Sequence, residues 1–118
     1  MSNFLAVFTG TPEANEKSGW NALSESSRKE RTQAGIKAWH FWMESHQKQL
    51  VVAGGPIGKT KRVSSSGTAD AHNNICGYVV VSAESHEAAA RLFENHPHFS
   101  IFPGEAVEVM ECLPVPAA

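Results

Sequence analysis

Two imidazoles bracket a proline at His96-Pro97-His98, and a third, His46, lies seven positions after Trp39 and three after Met43. Histidine exchanges a proton near neutral pH, so His98, His96 and His46 are the candidate acid–base groups. A catalytic zinc needs about three protein ligands, and no partner stands at ligand spacing from the pair, so no metal is expected. The competing structural reading makes His96-Pro97-His98 a proline-stopped helix end, one ring capping carbonyls and the other lining a pocket. His46 can likewise be a half-buried side chain beside the aromatics. His40 falls with Lys37, Glu44 and Gln47 on a wet face and reads as a surface group.

Gly54-Gly55-Pro56-Ile57-Gly58-Lys59-Thr60 superficially resembles a phosphate-binding loop. The motif needs a glycine where this chain has Ala53, and a helix to follow, whereas the chain continues KRVSSSG. A nucleotide site is therefore excluded. Gly55, Pro56 and Lys59 remain candidate substrate-binding residues, with Lys59, Lys61 and Arg62 giving a pocket mouth a positive rim or guarding an edge strand with charge. Trp39, Trp42 and Phe99 offer a flat apolar wall for a cyclic substrate. Near the C-terminus, Val107 and Val109 alternate with Glu108 and Met110, so one carboxylate approaches the interior or reaches water at a strand end.

These groups must be positioned by a small set of elements. Phe4 to Phe8 (FLAVF) predicts a first strand. The polar stretch 9–27 follows, pinned by Trp20 and Leu23. Ser24 or Ser26 caps a long helix reaching to about Gln49, with Ile36, Trp39, Trp42, Met43 and Leu50 as its apolar stripe. Leu50 to Ala53 is a second strand, 57–74 a polar loop with a turn at Gly67, and Ile75 to Ser82 a third strand. Ser85 caps a second helix carrying Ala88, Ala89, Leu92 and Phe93, which Asn95 and Pro97 end. Ala106 to Leu113 is the last strand.

The order β-α-β-β-α-β predicts an α+β, ferredoxin-like fold in one domain, residues 1–118, with its core at about 3–113. Right-handed crossovers put both helices on one face of the sheet. FLAVF and YVVV are apolar at successive positions, so both faces of the sheet are apolar. An uncovered face of this kind is rarely left in water, and a second copy of the chain is its simplest cover. The expected assembly is a homodimer with sheets packed face to face, a dimeric α+β barrel.

With these elements in place, the chain resembles the YCII-related family, also described by its YciI-like and DGPF members. The resemblance rests on AGGPIGKTKRVSSSG, on GYVVVSAESHEAAARLFENHPHF and on GEAVEVMECLPV, in that order and at those separations. It implies the same ferredoxin-like dimer. In some YciI-like proteins it also implies a His–Asp pair near the first helix acting on small molecules, and in one branch the removal of chloride from chlorinated hydroxyquinols. Here Ile36 or Lys37 stands near the histidine's place and His46 near the aspartate's, so the pair does not carry over. The letters DGPF are absent too, the corresponding loop reading GTADAHNN.

The composition is that of a globular chain, 42% hydrophobic and 19% charged, and the net charge of −2 leaves no footprint for nucleic acid or an anionic membrane. No spanning segment or leader is expected. Cys76 and Cys112 are expected to stay reduced in a cytoplasmic protein. Three functions follow. The first is a cofactor-independent small-molecule enzyme, its pocket between the long helix, the sheet and the loops 54–61 and 96–102. The second is a non-catalytic ligand-binding or accessory module, and the third a heme- or oxygen-using relative of barrel monooxygenases.

Overall fold

A computed structural model describes residues 1–117. Among these residues lie six strands: β1 (Ser2–Thr9), β2 (Leu50–Pro56), β3 (Thr60–Ser64), β4 (Gly67–Ala71), β5 (Ile75–Ala83) and β6 (Ala106–Glu111). The helices are α1 (Pro12–Lys17), α2 (Glu25–Ser45), α3 (His86–Arg91) and α4 (Pro97–Ser100), with a single 3-10 turn at Trp20–Ala22. The main sheet is antiparallel in the order β2-β5-β1-β6. That order, with α2 and α3 as the two crossovers, is the ferredoxin-like fold expected from the sequence.

Local chemistry explains the helix limits. The Ser24 hydroxyl accepts from Ser27 N–H and the Ser85 hydroxyl from Ala88 N–H, each satisfying an amide that the first turn leaves free. The long helix stops at Ser45 with His46 as its C-cap, one turn short of the predicted end near Gln49. The second helix is also shorter than its apolar pattern suggests. After Arg91 the chain turns, and Asn95 takes a left-handed φ of 58° before α4 begins.

Two stretches read as irregular turn out to be built. The region 9–27 holds α1, N-capped by Thr11, and the 3-10 turn, whose Trp20 lies 6.2 Å from the Phe102 ring as the expected anchor. The polar loop 57–74 is instead a hairpin, β3 paired with β4 in a separate two-stranded sheet, with Gly67 at its turn at φ 110°. Its residues are too polar for hydrophobic periodicity to reveal them as strands.

The register divides the main sheet by face. Phe4, Ala6 and Phe8 of β1 lie beside Val81, Val79 and Gly77 of β5, and this side carries α2 and α3. The core forms there from Phe4, Phe8, Trp42, Val79, Val81, Ala89 and Phe93, all buried. Each such side chain contributes roughly 1.5–3 kcal/mol by leaving water. Leu5, Val7, Tyr78 and Val80 turn to the opposite face, joined by Val52 of β2 and by Met110 and Glu108 of β6. Val52 and Met110 there are 43% and 39% exposed. Apolar residues thus occupy both faces.

β2 departs from regular pairing between Val52 and Gly55. Gly54 sits at φ 64° with its α-carbon pressed on the β5 backbone, and a Cβ there would fall 1.9 Å from the Tyr78 carbonyl oxygen. No rotamer change relieves a clash with backbone. Gly54→Ala is therefore expected to cost about 3 kcal/mol or more and to lower the thermal midpoint sharply. Gly58→Ala, where a Cβ meets nothing, should leave the midpoint within a degree or so of wild type; equal midpoints for the two variants would refute this account of β2.

Candidate functional site

A cleft of about 320 Å³ opens between α2 and the end of β2, lined by Ile36, Trp39, His40, Gly55, Pro56 and Phe102. Ile36, Trp39 and His40 come from consecutive turns of α2. Gly55 and Pro56 come from the irregular end of β2, and Phe102 from the segment after α4. Gly35 lets this wall close, because a Cβ there would sit 2.5 Å from the Phe102 ring. A glycine inside a helix costs roughly 1 kcal/mol relative to alanine, and here the loss is offset by an aromatic ring seated directly on the helix backbone. Gly55 faces open space.

Three of the expected substrate contacts, Trp39, Gly55 and Pro56, meet in this cleft. Trp42 does not: it is buried behind it, its indole N–H donating to the Leu92 carbonyl at 2.9 Å. Lys59 stands at a separate polar hollow under the hairpin, and Phe99 at a shallow groove between α3 and β6. Ile36, expected in the buried stripe, is 48% exposed because it forms the cleft edge. His40, read as a surface group, is exposed but turned to the cleft, and it is the one titratable side chain in the lining.

The three expected acid–base histidines gather behind the cleft rather than in its lining. His96 is completely buried, its ring 4.5 Å from Trp39, 4.8 Å from Trp42 and 5.1 Å from Phe8. His98 N–H donates to His96 Nδ1 at 3.0 Å, so the ring caps the start of α4 and does not donate to the carbonyls that end α3. With Nδ1 accepting, the neutral ring carries its proton on Nε2, an atom without a partner. Burial, with lesser repulsion from His98 and His46, lowers the His96 pKa to about 3. His98 Nε2–H donates to the Thr9 carbonyl at 2.7 Å; its burial lowers its pKa against the opposing pull of that bond. His46 Nδ1–H donates to the Trp42 carbonyl at 2.8 Å, and its ring lies 4.6 Å from that indole.

This geometry gives His96 structural work. A ring whose Nδ1 is held by a backbone amide and whose surroundings reject charge takes up no proton near neutrality. Of the pair, one histidine was expected to cap carbonyls and the other to line a pocket; His98 meets a carbonyl, and His96 meets an amide and a box of aromatics. The cleft's own histidine, with Phe102, had no motif to mark it. The usable signal was Gly35, a glycine one turn ahead of Trp39 on the inner side of a long helix.

Cys76 and Cys112 are both free, and burial raises the Cys76 thiol pKa. Among the described residues no group of three His, Cys, Asp or Glu is placed to hold a metal ion, and no helix is long and apolar enough to cross a membrane.

No family model and no curated protein matches the chain. Among solved structures it is similar to 5-chloro-2-hydroxyhydroquinone dehydrochlorinase from Burkholderia phenoliruptrix AC1100, in complex with 2,5-dihydroxybenzoquinone. The identity is 18%, over 91% of this chain and 89% of that one, with a TM-score of 0.49. The fold assignment rests on the strand order and not on this likeness.

The buried imidazole carries a pH signature. The pKa of His96 is about 3 folded and about 6.5 when solvated, so the unfolded chain binds this proton first. Its share of stability is complete above pH 6.5 and is lost as pH falls toward 3. Chemical denaturation of wild type should show this loss, at up to about 1.3 kcal/mol per pH unit. His96→Asn keeps a side-chain acceptor for the His98 amide and should flatten the slope; an unchanged slope would mean that His96 is protonated in the fold.

Proposed function

We propose that the protein is a cytoplasmic, homodimeric small-molecule enzyme of the YCII-related kind, which moves a proton on a flat, largely apolar substrate held in the α2–β2 cleft. The observation that carries this reading is the cleft lining: two aromatic rings and a proline surround a single titratable side chain, His40. Trp39 and Phe102, with ring centres 6.3 Å apart and planes tilted by 62°, suit a ring that packs on one and meets the edge of the other. Histidine is the residue type suited to taking and returning a proton at neutral pH. Elimination, isomerisation and hydrolysis all need such a step, and none requires a bound cofactor. His40 thus takes the acid–base role that the sequence reading gave to His98, His96 and His46, which act here as supports of the wall.

Phenols and hydroquinones are the substrate class that fits, since each offers an apolar ring and at least one phenolic proton for the imidazole. A second reading, a ligand-binding module without catalysis, is favoured by the scarcity of polar atoms around the cleft. A catalytic site usually fixes its substrate with several convergent polar groups.

The two readings separate in one experiment. Wild type, His40→Gln and Trp39→Ala are titrated with substituted phenols and hydroquinones, following tryptophan fluorescence for binding and product formation by NMR. The enzyme reading expects Trp39→Ala to lose binding, and His40→Gln to keep binding while turnover falls roughly 100-fold. Saturable binding with no product from wild type selects the binding module. An absence of binding to wild type overturns both.

A further inference from the structure

The β3–β4 hairpin leaves the body of the molecule as an arm. Its strands pair only with one another, and nearly every residue from 57 to 74 is exposed. The radius of gyration is 16.3 Å, against about 13.5 Å for a compact chain of this length. A two-stranded hairpin alone in water is marginal at best, so the arm needs something to lie against.

Charge is distributed unevenly between the arm and the far edge of the sheet. The arm carries Lys59, Lys61 and Arg62 against Asp70. Lys61 is paired with Asp70 across the hairpin, and Lys59 and Arg62 have no carboxylate partner among the described residues. From α3 to β6 the chain carries Glu87, Glu94, Glu105, Glu108 and Glu111 against Arg91, all exposed. Glu108 matters most, because it lies beside Val7 and so shares the uncovered face with Leu5, Val80 and Met110. Covering that face buries a carboxylate, which is costly unless a cation comes with the cover.

Topology places such a cation within reach. β2 and β6 are opposite edges of the sheet. Pro56, the root of the arm, pairs with Gly77, which pairs with Phe8, which pairs with Val107. Arm root and Glu105–Glu108 therefore lie at the same end of the sheet, on opposite edges. A two-fold axis parallel to the strands, running between two stacked sheets, lays β2 of one copy over β6 of the other. Each arm then starts next to its partner's glutamates, and the contact closes on itself as an isologous interface must.

Taking the occupant of the open sheet face to be the second copy proposed above, we infer that the arm of each copy clasps the β6 edge of the other, Arg62 and Lys59 meeting Glu108. The inference rests on the homodimer reading above and adds the orientation of the pair and the residues that set it. The hairpin is thus a dimerisation arm that neutralises the one acid on an otherwise apolar interface.

Sedimentation equilibrium on the full chain tests it, with wild type, Arg62→Glu, Glu108→Arg, their combination, and Val80→Asp in the centre of the face. The expected result is a wild-type dimer weakened by salt and a monomeric Val80→Asp. Each single charge reversal should weaken association about tenfold, and the double reversal should restore it to within about threefold. A wild-type dimer lost in Val80→Asp but indifferent to both reversals overturns the clasp and leaves the face-to-face dimer standing. A wild-type monomer overturns the dimer itself, leaving the face to a different protein.

Discussion

The burial of His96 is the constraint on which the rest of this molecule turns. The ring is wholly enclosed and touches Phe8 of β1, Trp39 and Trp42 of α2, and Phe93 just beyond α3. Through Nδ1 it also fixes the first amide of α4. One side chain therefore ties a central strand to the long helix, to the turn after α3 and to the start of α4. An aliphatic residue of similar volume could fill the space but would leave the His98 amide without its acceptor; a lysine or an acid would bring a charge the box cannot solvate. A neutral histidine can accept one hydrogen bond through a ring nitrogen and still pack edge-on against indoles.

The cleft follows from that anchoring. Trp39 is held between His96 on its inner side and Phe102 on its outer side, with ring centres at 4.5 and 6.3 Å. Phe102 in turn reaches α2 only because position 35 has no side chain, and it is backed by Trp20 from the 3-10 turn. A run of aromatic contacts thus extends from the core to the surface and ends where Gly55 and Pro56 leave a gap. The same segment is fixed from the other side, since Gly104 gives its space to the His98 ring and the Arg31 guanidinium donates to the Ile101 carbonyl at 3.0 Å. The wall is preformed, with its anchors on four different elements.

Legibility in the sequence tracks the strength of the local signal. β1 and β5 were readable because continuous apolar runs have few other uses, and the caps at Ser24 and Ser85 because an N-terminal hydroxyl has a specific geometric job. The strand order followed from those elements and the handedness of crossovers. The hairpin escaped notice because Thr, Lys, Arg, Ser, Asp and Gly carry no hydrophobic alternation; only cross-strand pairing makes them strands. The site was half visible. Trp39, Gly55 and Pro56 stood out by type, yet His40 and Phe102 depend on which way α2 is rotated and where the loop after α4 returns, both set by tertiary packing. His96 and His98 stood out by type, and their burial is set by packing that no local pattern shows.

That last point bears on where catalysis can reside in a fold of this size. A sheet covered by helices on one face has one dry interior, and among the described residues rings and aliphatic side chains fill it down to a gap of about 20 Å³. Any group inside is desolvated and loses its charge, as His96 and His98 show in the direction of their shifts. Proton transfer to a ligand needs a group that keeps contact with water for exchange yet sits against an apolar wall that orients the ligand. The α2–β2 cleft, at the rim of the core, sets an exposed histidine beside an apolar wall of this kind. The wall there is an outcrop of the buried aromatic cluster, and the exposed histidine next to it in sequence is one residue along the same helix. Core and cleft are thus the two ends of one packed array, the first closed to water and the second open to it.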